Sequence, residues 1–80
     1  MFYIYILKSK VDNKLYTGFS GNLRKRIKEH SSGGVQSTKN RRPLELIYYE
    51  AYKEKTNALK REKFLKTTKG KMQLKKQLEP

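Results

Sequence analysis

When the segment after Asn22 is wound as a helix, Arg26 and His30 fall on one stripe with Leu23 and Ile27, within roughly a 100° arc. Arg24, Lys25, Lys28 and Glu29 take the other side. An arginine on a core-facing stripe is desolvated unless an anion meets it, and its planar fork suits a phosphate. The same placement also suits an arginine that snorkels onto a neighbouring carboxylate. His30 reads either as part of a phosphate site or as a satisfied boundary histidine.

A second inward polar residue lies nearer the C-terminal end. Glu62 stands between Ala58 and Leu65 at spacings of four and three, so its carboxylate shares their side of a helix. Left partly open, a lone glutamate is an acceptable ligand for a Mg²⁺ ion that keeps most of its waters and takes substrate phosphate. A salt bridge between Arg26 and Glu62 accounts for both residues equally well. Tyr3 and Tyr5 share one strand face, and Tyr16 shares its own with Gly18 rather than with Leu15, Thr17 and Phe19. Glycine inside a strand marks a bulge or the close approach of another group. The tyrosine hydroxyls either converge on a site or belong to packing residues with a wetted tip.

The elements that must hold these residues follow from patterning. Phe2 to Leu7 is aromatic and β-branched, Asp12-Asn13 supplies turn chemistry, and Leu15 to Phe19 resumes the strand pattern, which predicts an antiparallel hairpin. Ser20 or Asn22 caps a first helix that ends at Ser31-Ser32-Gly33-Gly34. Gly33 to Pro43 is polar and basic without apolar periodicity, hence a loop. Leu44 to Glu50 alternates around Leu46, Ile47, Tyr48 and Tyr49 as a third strand, and Thr56 is placed to cap a second helix from about Asn57 to Lys66. Gly70 is expected to separate that helix from a basic tail, Lys71 to Leu78, that forms a third. The predicted class is α/β of the α+β kind: a small three-stranded antiparallel sheet flanked by helices, in the order strand, strand, helix, strand, helix, helix.

Composition narrows the partners. Eighty residues allow one domain, 1–80, and 35% hydrophobic content with 11% aromatics is enough to fold it. Without cysteine there is neither a disulfide framework nor a thiolate metal site. The longest apolar run is too short to span a bilayer and nothing resembles a signal peptide, so a cytoplasmic protein without membrane contact is expected. Twenty Lys and Arg against seven Asp and Glu give a net charge of +13, which attracts polyanions, nucleic acid first among them. Arg24, Lys25, Lys39, Arg41 and Arg42 are the expected contacts to the phosphate backbone, the alternative being an ordinary solvated basic surface.

In chain order, Tyr3-Ile4-Tyr5, Tyr16-Thr17-Gly18, Arg26 ten residues past Tyr16, His30 one turn later and Glu62 within Ala58 to Leu65 (ALKREKFL) resemble the GIY-YIG nuclease domain. The resemblance covers nearly the whole chain. Similar domains occur at the front of an excinuclease polypeptide, in homing endonucleases, in some restriction enzymes and as short bacterial proteins of this size. Tyr3 stands where the family name has Gly and Thr17 where it has Ile, and no asparagine follows Glu62 as in several active members.

The resemblance implies a metal-dependent DNA endonuclease, structure-specific in repair or recombination, with Tyr5, Tyr16, Arg26, His30 and Glu62 as catalytic residues. Tyr16 is the first choice to activate or orient water, with Tyr5 next. Arg26 is expected to stabilise the pentacoordinate phosphate, His30 to assist proton transfer or hold phosphate, and Glu62 to hold one divalent ion, Mg²⁺ or Mn²⁺. An ordinary phenol, with a pKa of about 10, is a poor base at neutral pH and needs help from its neighbours. DNA is the expected partner and RNA the second choice. The rival functions are a non-catalytic nucleic-acid-binding module and an accessory protein of a nuclease complex acting through a protein partner.

Overall fold

The computed structural model describes residues 1–79. Strands β1 (Phe2–Ser9), β2 (Leu15–Ser20) and β3 (Leu44–Tyr52) form a three-stranded antiparallel sheet in the order β2-β1-β3. Helices α1 (Leu23–Ser31), α2 (Lys55–Leu65) and α3 (Thr68–Leu78) flank it, and a 3₁₀ turn, Lys39–Arg41, interrupts the long loop before β3. The class and element order are those the sequence predicts.

The central position of β1 explains its near-continuous apolar run, since a strand covered on both faces has no side to leave polar. Ile4, Tyr5, Ile6 and Leu7 are all buried. Ile4 and Ile6 pack with Ala58, Leu65 and Leu74 from α2 and α3, with Phe2, Leu15, Phe19 and Tyr48 at the margin. By strand alternation, Tyr5, Leu7, Tyr16 and Gly18 face the other way, toward α1 and the loop. The chemistry-bearing residues of both hairpin strands therefore lie on the face opposite the main apolar cluster.

Three local expectations are corrected. Helix α2 begins at Lys55 after Glu54, so Thr56 lies inside it and does not cap it, and Glu54 makes no side-chain cap bond either. Gly70 is not a separator: it lies in the first turn of α3, where its N–H donates to the Thr67 hydroxyl at 3.1 Å. Strand β3 does not alternate simply. Its register slips opposite Ile6 and Leu7, whose partners are Tyr48 and Leu46, leaving Ile47 as the extra residue of a bulge. Ile47 and Tyr48 consequently both pack against the helical core. Of the two candidate caps for α1, Asn22 is used, its side chain accepting from the Lys25 N–H at 3.1 Å.

Gly70 is required by contact rather than by backbone conformation, because a Cβ there would overlap the Phe64 carbonyl oxygen. Backbone of α2 cannot step aside without moving the helix. Gly70→Ala is therefore expected to cost about 1–3 kcal/mol, the usual range for overpacking. At Gly21 a Cβ would meet nothing within 4 Å, so Gly21→Ala should stay within about 0.5 kcal/mol of wild type. Urea unfolding of the two variants checks the contrast.

Candidate active site

Tyr5 is the centre of the opposite face. Its ring lies over Gly18, its antiparallel partner on β2, where a Cβ would collide with the Tyr5 Cζ. Only a residue without a side chain lets the ring lie there. The Tyr5 hydroxyl is 2.8 Å from Nε2 of His30 on α1, and His30 Nδ1 is 2.7 Å from the Thr38 hydroxyl in the loop. Tyr5 and His30 are each 1% exposed and Thr38 is 0% exposed, so this chain of contacts is sealed from solvent. Tyr16, half-buried, sets its ring edge-on to His30 at 5.3 Å between centroids and tilted to Tyr5 at 6.5 Å.

Arg26 completes the group. Its guanidinium stands beside the Tyr5 hydroxyl and also reaches Glu29 at 3.8 Å. Burial pushes the Tyr5 phenol up, Arg26 offsets part of that, and the nearby Tyr16 and Glu62 charges add to the rise. Burial and the Arg26 charge hold the His30 imidazole below its ordinary value, against the opposing pull of Glu29. His30 is therefore neutral at neutral pH, with one ring nitrogen donating and the other accepting. One ring nitrogen meets the Tyr5 hydroxyl and the other the Thr38 hydroxyl, and each hydroxyl can donate or accept to match the tautomer.

Glu62 is linked to this group through its charge, which adds to the rise at Tyr5. Its side chain is 22% exposed and pairs with Lys66 at 3.2 Å, one turn along α2. The salt bridge to Arg26 does not form: Arg26 takes Glu29, and Arg61 takes Glu50. Among the described residues no three His, Asp or Glu side chains gather as a metal cage. A single, partly open carboxylate fits a hard divalent cation that retains water, and an exposed i,i+4 partner such as Lys66 is readily displaced.

Of the five expected backbone contacts, Arg24, Lys25 and Lys39 are exposed and free to meet phosphate. The other two are partly engaged. Arg41 leans to Asp12 at 3.8 Å, and Arg42 donates from Nε to the Lys39 carbonyl at 3.0 Å and from Nη1 to that of Ser31 at 3.4 Å.

Two features were not anticipated from sequence. Thr38, which orients His30, sits in a polar loop where nothing in residue type marks it as buried. On the other face, Glu50 accepts from the Tyr48 and Tyr52 hydroxyls at 2.5 and 2.6 Å and from Arg61 at 3.0 and 3.1 Å. Burial alone would raise the Glu50 carboxyl, but these four bonds hold it below its usual value, while burial and Glu50 push the Tyr52 phenol up to about 12. The i,i+2 spacing of Tyr48, Glu50 and Tyr52 on one strand face was the available signal.

A three-stranded α+β sheet carrying two tyrosines, an arginine and a histidine on one face places the protein in a recognisable class. Residues 1–76 match the family model described as the GIY-YIG catalytic domain, and the chain belongs to the GIY-YIG family of nucleases. It is 47% identical over 77 residues to a UPF0213 protein of Clostridium perfringens, covering 92% of this chain and 82% of that one. A UPF0213 protein of Staphylococcus saprophyticus is 50% identical over 66 residues, covering 81% of this chain and 79% of the relative. The solution NMR structure of the UPF0213 protein BH0048 from Bacillus halodurans superposes with a TM-score of 0.58 at 37% identity, over 92% of this chain and 82% of that one.

The chain has a single histidine, so one imidazole resonance reports the site. NMR titration is expected to place its pKa below the ordinary 6.5; a value at or above that would contradict the sealed contact. With a folded pKa depressed, the unfolded chain takes the proton first, so stability is lost as pH falls below about 6.5 and through the folded pKa. His30→Gln should lack that portion of the loss.

Proposed function

We propose that this protein is a metal-dependent DNA endonuclease that hydrolyses phosphodiester bonds, acting on branched or otherwise irregular DNA in repair or recombination. The observation that carries this reading is the convergence of Tyr5, Tyr16, Arg26 and His30 on one spot, with the Glu62 charge close enough to act on Tyr5. Burial divides their roles. Tyr5 and His30 are closed off and positional, whereas Tyr16 and Arg26 retain the exposure needed to reach a substrate.

Tyr16 orients the attacking water, with the neutral His30 ring against its edge. Arg26 stabilises the charge that develops on phosphorus-bound oxygens, a task for which a fixed guanidinium in a partly dry site is well suited. Tyr5 holds His30 in place through its hydroxyl on Nε2 and gives the Arg26 guanidinium a neighbour to rest against. Glu62 is the residue that would hold Mg²⁺ or Mn²⁺, which when bound supplies Lewis-acid stabilisation to the phosphate. Arg24, Lys25 and Lys39 hold the backbone, and RNA competes through the same phosphate contacts.

A non-catalytic nucleic-acid-binding module is the second reading, favoured by the Lys66 ammonium on Glu62. One comparison separates them. Wild-type protein should nick branched, single-stranded and plasmid DNA with Mg²⁺ or Mn²⁺, and Glu62→Gln should lose cleavage while keeping DNA affinity. Cutting that survives in Glu62→Gln, or affinity lost along with it, counts against the assigned role.

The charge makes a separate prediction. Log affinity for duplex should fall against log salt by about 0.9 per phosphate neutralised, with little dependence on sequence. Replacing Arg24, Lys25 and Lys39 together by Ala should lower that slope by up to about 2.7, alike for unrelated duplexes. Titrations at several salt concentrations measure it, and an unchanged slope would move the DNA track elsewhere.

A further inference from the structure

Beside the Tyr5 cluster, on the same face of the sheet, runs an open groove of about 550 Å³ that none of the five site residues lines. Its floor is Tyr3, Leu46 and Tyr49; its wall is α1, with Leu23 and Ile27 inside and Arg24 and Lys28 at the rim. Tyr49 is 53% exposed and Leu46 36% exposed, far more than residues that merely complete a core. Tyr3 meets Tyr49 edge to face, with centroids 6.2 Å apart, leaving the Tyr49 ring braced but open.

The bulge in β3 creates this surface. Leu46 and Tyr49 are three residues apart and in a regular strand would point to opposite faces. With Ile47 inserted as the extra residue, both line the groove while Ile47 and Tyr48 pack below. The groove also adjoins the candidate active site, because Tyr49 is the β3 partner of Tyr5 and α1 carries the groove wall and Arg26 alike.

We propose that this groove is a subsite for unpaired nucleobases of a single strand, with Tyr49 as the stacking platform and Arg24 and Lys28 as contacts to the adjoining phosphates. An exposed aromatic floor with a cationic rim is the composition that single-strand binding uses: bases stack whatever their identity, and the cations track the backbone. A stacked duplex offers no free base face, so the groove distinguishes frayed, gapped or single strands from intact duplex. The inference rests on the nuclease reading for its biological setting but not for its test, which needs neither metal nor cleavage.

The test is anisotropy of a fluorescein-labelled oligothymidylate and of a labelled duplex of equal length, both in EDTA. Tyr49→Ala should weaken binding to the single strand by about fivefold or more, while changing duplex affinity by less than about twofold. Tyr49→Phe, which keeps the ring, should bind both like wild type. Tyr49 is exposed on an outer strand, and a circular dichroism melt verifies that the alanine variant is folded. Equal effects of Tyr49→Ala on single strand and duplex, no effect on either, or a loss in Tyr49→Phe as large as in Tyr49→Ala would each overturn the proposal. Absence of nicking by wild-type protein, with this binding pattern intact, would remove the nuclease reading and leave the subsite standing.

Discussion

Much of this structure depends on the approach of the Tyr5 ring to the bare backbone of Gly18. That contact lets a large phenol lie flat in the middle of the sheet with its hydroxyl carried to α1, where His30 receives it. Through His30 the link continues to Thr38, so one strand, one helix and an otherwise irregular loop are tied by two short hydrogen bonds. A side chain at residue 18 would displace the ring, and with it the reference point from which Arg26 and Tyr16 are placed. The loop beyond α1 has few apolar anchors, Val35 being the main one, which makes the buried Thr38 contact important to its path.

The two faces of the sheet solve the same problem differently. Below, an apolar cluster from β1, α2 and α3 leaves one carboxylate, Glu50, which is saturated by two phenols and a bidentate arginine. Removing one partner from such a set exposes the others to an unmet desolvation cost, so it behaves as a structural unit. Above, the polar groups are fewer and not mutually saturated: Arg26 stands beside the Tyr5 hydroxyl, its ion pair to Glu29 is long at 3.8 Å, and it retains 35% side-chain exposure. The contrast separates the cluster that holds the fold from the one with capacity left for a ligand.

The fold was legible because its signals are local. The apolar run of β1, the turn at Asp12-Asn13, the Asn22 cap and the Leu23, Arg26, Ile27, His30 stripe each depend on residues a few positions apart. The candidate site was legible in part for the same reason, since Arg26 and His30 share a helix face and Tyr16 and Gly18 a strand face. What could not be read were pairings between distant segments. Whether Glu62 met Arg26 depended on competition from Glu29 and Lys66, each close in sequence to its own partner and therefore cheaper in entropy to engage. The bulge at Ile47 is set by register against β1, and Gly70 by the path of the preceding helix, neither of which leaves a local pattern.

Across the upper face, exposure rises in an order that matches the chemistry each group can perform. Tyr5 and His30, at 1% exposure, have their polar atoms engaged with one another and with the sealed Thr38. Arg26 spans the boundary, its charge acting inward on Tyr5 and His30 and outward on whatever anion arrives. That inward action is consequential: burial first, and then the Arg26 charge beside it, disfavour a positive charge on His30 and hold the imidazole neutral. An incoming phosphate would partly neutralise Arg26 and ease the restraint, raising the affinity of His30 for a proton when substrate is bound. An anion on Arg26 would in this way act on the buried pair through charge alone, with neither buried residue touching it.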